Sequence, residues 1–358
     1  MIYIEETGKM KITKKNGIDI GDTTIDTGDP VFVDILDTPA TVHGFYKPYV
    51  RVPDDVAGAT SPTVKWLSKT STGGRFRFMT DSDYLVVHVE YYPEFSEAGM
   101  PRNFDVFEYC NGGYHTLGSI YPSQGEGKSY LEGRARFLGE RMRDLTLYAP
   151  ILLAIKRIVI AVRDGSVIIP AHEYKHKTPV VFYGSSIVHG IGSSRPSCNY
   201  PAIISRRLDT DYINLGFSGA AKCEPAIIDY ISTLEMSVFV YDYDHNAPSP
   251  AYLAETHYAG YKRFRAAQPF TPVIMASKPD YYNPNVEIED AESRRRTILE
   301  SYAKGIAEGD KNLYVIDGST FYEPEYRDES TADGCHPNDV GYLQMAKKFG
   351  AIIDGIIN

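Results

Sequence analysis

Along the first half of the chain, apolar and polar residues alternate with a period of two. The runs 31–35, 75–78, 84–91, 104–109 and 158–162 are short, rich in β-branched and aromatic residues, and bounded by turn residues. That pattern predicts strands with one buried face. Asn111-Gly112-Gly113 separates two such runs and reads as a hairpin turn. No stretch here keeps a helical stripe for three turns. Many short strands at this spacing predict an all-β sandwich, of jelly-roll type, over residues 1–176.

The period changes at Lys177-Thr178-Pro179. Strands are predicted at 180–183, 212–215, 238–241, 272–275 and 313–316. Helices are predicted at 199–208, 224–234, 250–267, 289–308 and 338–357, with Pro201 in the first turn of the first. Strands alternating with helices predict a parallel sheet covered on both faces, a three-layer α/β domain of flavodoxin-like type with five strands, over 177–358.

Ligands of an open parallel sheet bind beyond the carboxyl ends of its strands, so the loops after the strands carry the argument. They deliver Gly184-Ser185-Ser186, Gly216-Phe217-Ser218-Gly219, Asp244-His245-Asn246 and, before the last helix, Asp333-Gly334-Cys335-His336. A serine, a glycine, an asparagine and an Asp-x-x-His at one edge are the inventory for acyl transfer. A serine hydroxyl attacks only if a base takes its proton, which His336 can do. Asp333, three residues earlier, can hold that ring in one tautomer. The amides of Ser186 and Gly219 and the side chain of Asn246 can stabilise an oxyanion; each such donor is worth about 2.7–4 kcal/mol of barrier. Taken singly each has a plainer role. Ser185 can cap a helix, Asp333 or Asn338 can cap the last one, Gly219 can permit a turn and Asn246 can cap the helix after Pro248. Only the four in order favour catalysis.

GSSIVHG, NLGFSG, DYDHN and DGCHP resemble the four blocks of the SGNH (GDSL-type) hydrolase superfamily. SRPSCNYPAIISRRL and HPNDVGYLQMA resemble its branch with an amino-terminal β-sandwich domain, as do, more loosely, GRFRFMTDS, NFDVF and LYAP in the first half. The resemblance implies that Ser186 is the nucleophile, that Asp333 and His336 complete the triad, and that Gly219 and Asn246 complete the oxyanion hole. Two features depart from the pattern. Ser185 replaces the usual acidic residue, and Asp244-His245-Asn246 replaces a plain Gly-x-Asn-Asp. The implied activity is a serine esterase acting on short-chain O-acyl esters, acetyl esters of carbohydrates first. An acyltransferase with the same residues is one alternative, and a non-catalytic glycan-binding protein with a vestigial triad is the other.

Composition narrows the partners. Lys and Arg number 37 against 47 Asp and Glu, a net charge of −10 with no basic cluster, which argues against nucleic acid. The longest apolar stretch, 149–162, is interrupted by Lys156 and Arg157 and too short to span a bilayer. Tyrosine occurs 28 times against one tryptophan. Tyr243, Tyr281, Tyr282, Tyr322 and Tyr326 fall in loops at the predicted active edge, where amphipathic rings suit sugars or aryl acyl groups. Arg195 could bind a substrate carboxylate or phosphate. No histidine pair has metal-ligand spacing and the triad needs no cofactor, so neither metal nor cofactor is expected. Four cysteines without a CxxC pair, and no secretory pattern at the amino terminus, lead to the expectation of reduced thiols and a cytoplasmic protein. A secreted chain trimmed of its leader would look the same. The oligomeric state is left open.

Overall fold

The computed structural model describes residues 8–21, 23, 30–96, 102–124 and 130–358. The chain divides into two compact units. One comprises Met1–Val50 and Lys69–Glu173, the other Arg51–Ser68 and Tyr174–Asn358.

The first unit is a sandwich of two antiparallel sheets. One sheet runs in the order Met10–Lys11, Val167–Pro170, Arg75–Thr80, Arg143–Tyr148, Phe104–Cys110, Gly113–Ile120, with Thr41–His43 also paired to Arg75–Thr80. The other runs Pro30–Asp34, Ile155–Arg163, Tyr84–Tyr91, Tyr130–Arg136, Ser123–Gln124. Alternate residues of the two sheets meet in one core. Phe76, Phe78, Val106, Leu145 and Leu147 lie in it with Leu85, Val87, Val89, Ile158, Ile160 and Val162. Each such side chain contributes about 1.5–3 kcal/mol on leaving water. The predicted hairpin is present. Asn111 and Gly112 both take positive φ, 52° and 77°, between paired Cys110 and Gly113, as a type I′ turn requires.

Among the described residues six strands of this unit, including Tyr130–Arg136 and Arg143–Tyr148, go beyond those the alternation predicts. Arg143–Tyr148 is buried on both faces, so its polar residues are internal. Asp144 binds His172, and Arg143 donates to the carbonyls of Leu138, Gly139 and Arg141.

The second unit holds five parallel strands in the order Thr210–Gly216, His176–Gly184, Val238–Asp242, Val273–Ala276, Leu313–Ile316. Helix Tyr200–Leu208 packs with Asp339–Ile357, while Pro225–Ser232, Pro250–Ala267 and Ile288–Ala307 pack in succession. The helix starts are set by Asn199, Ser249 and Asn338, whose side chains accept amides of the first turn, worth about 1 kcal/mol apiece. Two short helices, Asp54–Thr60 and Pro62–Leu67, interrupt the first half of the sequence, and their segment belongs to this unit. They start and stop too quickly to show a stripe; Ser61 ends one and caps the next, with Pro62 at its first position. Arg51 anchors the segment. Its buried guanidinium donates to the carbonyls of Asn214 and Gly216 on the edge strand and of Leu67, and lies over the Phe217 ring. Burial lowers its pKa to about 9. Among the described residues no helix is long and apolar enough to cross a membrane.

Candidate active site

The strand order 2-1-3-4-5 reverses direction between His176–Gly184 and Val238–Asp242, the place where such sheets open a crevice. In register, Gly184 faces Gly216 on one side and Asp242 on the other, so the loops that follow leave from one level. A β-carbon at Gly184 would collide with the Asp242 carbonyl; only glycine lets the strands stay this close. The chain then turns through Ser185, whose hydroxyl accepts the Ile187 amide at 3.2 Å and caps the short helix Ser186–His189. Ser186 is thus the first helical residue, and its amide has no intrahelical acceptor. The Tyr342 hydroxyl, 3.0 Å from the Ile187 carbonyl and 2.7 Å from that of Ile191, ties this turn to the last helix.

The Ser186 hydroxyl lies 2.9 Å from Nε2 of His336, and Nδ1 of the same ring lies 2.7 Å from Oδ2 of Asp333. The other carboxylate oxygen, Oδ1, accepts the amides of Cys335 at 3.0 Å and His336 at 2.7 Å. A carboxylate only accepts, so Nδ1 carries the proton and Nε2 of the neutral ring accepts from the serine. Two further features hold this loop. Asn338 caps the last helix, leaving Asp333 for the ring. Gly192, at φ +92°, lies so close to Pro337 that any side chain would strike its carbonyl.

The electrostatics follow from these contacts. Burial pushes the Asp333 carboxyl up, but the His336 ring and the two amides hold it down at about 2. His336 is raised to about 9, first by the Cys335 thiol, against the cost of burial, and then by Asp333. Burial raises the Cys335 thiol, yet bonds to His245 and His336 bring it down to about 7.

The second and third loops meet at the Phe217 carbonyl. It accepts the amides of Ala220 and Ala221 and, at 2.8 Å, the side-chain amide of Asn246. One Asn246 N–H is thereby fixed and the second remains for a ligand. Gly219, at φ +68°, faces open space. The turn bearing Asn246 is held by Arg294, which donates to the Asp244 and Ala247 carbonyls at 3.0 Å each. Nothing in the sequence marks Arg294 or Arg51 as supports of these loops.

The predicted tyrosines separate into two groups. Tyr243 is no ligand contact: it is buried, its hydroxyl bonded to Thr256 and its ring packed between Tyr241 and His257. Position after a strand end does not say which way a side chain turns. Tyr281 donates to Glu292 and packs edge-on against Tyr282. Tyr282 is 51% exposed with the Arg327 guanidinium 3.8 Å over its ring. It lines a recess of about 220 Å³ with Asp280, Asn283, Tyr322, Arg327 and Gly334, beside the Asp333 loop. Tyr326 is exposed on the turn Pro324–Tyr326, while Tyr322 is buried. Arg195 is half-buried ahead of the turn Pro196–Cys198. Two groups of side chains have metal-ligating spacing: Asp333, Cys335 and His336, and separately His245, Asp280 and Cys335.

Comparisons with known proteins agree with this architecture. Residues 177–354 match the GDSL-like Lipase/Acylhydrolase family, and residues 31–168 match the family described as "N-terminus of Esterase_SGNH_hydro-type". No curated protein matches the sequence. Among solved structures, a Bacteroides ovatus ATCC 8483 protein described as a GDSL-like lipase is similar with a TM-score of 0.82 at 26% identity, covering 92% of this chain and 98% of that one. The salicylyl-acyltransferase SsfX3 of a tetracycline biosynthetic pathway has a TM-score of 0.75 at 20% identity, over 93% and 99% of the two chains. A family two carbohydrate esterase from Cellvibrio japonicus has a TM-score of 0.55 at 9% identity, over 92% and 98%. The last two likenesses are of fold.

Proposed function

The chain belongs to the SGNH (GDSL-type) hydrolase superfamily, in the branch with an amino-terminal β-sandwich domain, and is a carboxylic ester hydrolase; from that premise we propose that it removes short acyl groups, acetyl first, from hydroxyls of a carbohydrate by way of Ser186. The observation that carries this is the unbroken line from Asp333 through His336 to the Ser186 hydroxyl, at 2.7 and 2.9 Å.

In the proposed reaction Nε2 of His336 takes the Ser186 proton as Oγ bonds to the ester carbonyl carbon. The carbonyl π-electrons move to its oxygen, which the Ser186 and Gly219 amides and the free Asn246 N–H stabilise. The tetrahedral centre expels the sugar alkoxide, which takes the proton from His336. Water then repeats the cycle on the acyl-enzyme and releases a carboxylic acid, regenerating Ser186. Asp333 keeps the ring in its attacking tautomer and stabilises the imidazolium.

Two features support a sugar ester. The recess beside the Asp333 loop is small, and Tyr282 offers it a flat apolar ring with a hydroxyl. The Cellvibrio japonicus neighbour is a carbohydrate esterase of the same fold. The fold is also that of an acyltransferase, SsfX3, in which an acceptor hydroxyl would replace water at the acyl-enzyme.

The test is acetate release from a panel of acetylated oligosaccharides, beside acetyl, butyryl and octanoyl aryl esters, with and without an added alcohol acceptor. Acetyl sugars should turn over fastest, with free acetate as product and Ser186→Ala inactive. Preference for octanoyl esters would overturn the short-acyl assignment. Product appearing on the added alcohol would identify a transferase.

A further inference from the structure

We propose that His245, Asp280 and Cys335 form a binding site for a thiophilic divalent cation of the zinc class, set beside the His336 ring and separate from Ser186. The three side chains arrive from three loops. His245 comes from the turn Asp244–Asn246, Asp280 from the loop after strand Val273–Ala276, and Cys335 from the loop before the last helix. Their donor atoms lie within 4.8 Å of one another. Nε2 of His245 is 3.3 Å from Oδ2 of Asp280 and 3.6 Å from Sγ of Cys335. A tetrahedral ion with bonds of about 2.0–2.3 Å to nitrogen, oxygen and sulfur needs its donors about 3.3–3.7 Å apart. Both edges fall within that span, and the third, between Asp280 and Cys335, lies within 4.8 Å.

The donor set selects the ion. An imidazole, a carboxylate and a thiolate suit zinc or cobalt and are a poor match for magnesium or calcium, which take oxygen. Asp280 is buried, and its Oδ1 makes no hydrogen bond, with the Lys278 ammonium 3.5 Å away on that side. Its Oδ2 is the oxygen turned to His245. Lys278 therefore keeps one oxygen while the other faces the cluster. The Tyr322 hydroxyl, also buried and without a hydrogen-bond partner, lies close enough to feel the charges of Asp280 and Cys335, and could bond a water in the fourth position. Coordination uses the thiolate and the neutral imidazole, so binding releases their protons to solvent. An ion held there pins the loop that carries Asp333 and His336.

The test uses the full chain, stripped of metal and titrated with Co²⁺. One equivalent should bind and produce the thiolate-to-cobalt charge-transfer band. Cys335→Ser should abolish that band, and His245→Gln should weaken binding at least as much as the about 10- to 100-fold loss of outer-shell partners. His336→Ala should bind as the unaltered chain does. Independently of any variant, Zn²⁺ should protect Cys335 from alkylation by iodoacetamide, read by peptide mass. Absence of the band, or unchanged alkylation at saturating Zn²⁺, overturns the proposal. So does binding lost in His336→Ala and kept in His245→Gln, which would put the ion on Asp333, Cys335 and His336.

Discussion

Among the described residues, two Asp–His pairs share nearly the same Nδ1-to-carboxylate geometry, one in each unit. In the sandwich, Nδ1 of His172 lies 2.6 Å from Oδ2 of Asp144; in the α/β unit, Nδ1 of His336 lies 2.7 Å from Oδ2 of Asp333. What differs is the other face of the ring. Nε2 of His172 meets the Arg77 guanidinium at 3.0 Å and the Tyr114 hydroxyl at 3.3 Å, and the ring stacks on Tyr109 at 3.8 Å. Nε2 of His336 meets a serine hydroxyl that sits at a helix start. The first arrangement ties strands together and the second is poised for proton transfer. An Asp–His pair is therefore no signature of catalysis. The signature is the third group, together with the turn that presents it.

The largest expected effect that bears on this contrast is at Ser186. Ser186→Ala should lower kcat/KM for a small acyl ester by about 10⁴-fold or more, with an unchanged melting temperature; residual turnover near that of the unaltered chain would erase the distinction between the two pairs. Next comes Asn246→Ala. Loss of one oxyanion donor should cost about 10²- to 10³-fold in kcat, with KM little changed, and a pure KM effect would make Asn246 a binding residue. His172→Ala probes the other pair. It leaves Asp144 short of a partner and should cost about 1–3 kcal/mol of stability in a urea titration, while kcat/KM stays at its original value. Activity lost in a folded His172→Ala protein would mean that the sandwich pair takes part in turnover.

The smallest effect is a shift of the pH profile. Attack requires neutral His336, whose pKa is raised from the ordinary histidine value to about 9. Activity should thus climb as pH rises through that region, later than for an unperturbed histidine. Since the Cys335 thiol is the largest cause of the raised value, Cys335→Ala should move the rising limb to lower pH. The measurement is kcat/KM against pH in buffer containing a chelator. An unmoved limb would remove Cys335 from the electrostatics of the site.

The α/β unit was the more legible half because its central strands are buried on both faces and the helices Tyr200–Leu208, Pro250–Ala267 and Asp339–Ile357 carry caps. Helix Pro250–Ala267 and strand Leu313–Ile316 have their predicted bounds, and each loop leaves the predicted strand end. In the sandwich, the strands Arg75–Thr80, Tyr84–Tyr91, Phe104–Cys110 and Ile155–Arg163, rich in β-branched and aromatic residues, were legible. Arg143–Tyr148 was not, because its polar residues Arg143, Asp144 and Thr146 are buried along with its leucines. The segment Arg51–Ser68 was silent. Its structural value lies in a guanidinium that serves three carbonyls, a tertiary fact with no periodicity. For the candidate site, spacing alone could suggest that Asp333 reaches His336, since both lie in one loop. That Cys335 also meets His245 and Asp280, and that Tyr243 turns inward, depends on how separate loops converge.

The most direct test of the account is covalent labelling of the intact protein with a fluorophosphonate, the adduct located by peptide mass. The geometry predicts a single adduct on Ser186 that disappears in His336→Ala and persists in His172→Ala. Folded protein that takes no label, or an adduct on Ser185 in place of Ser186, would contradict it.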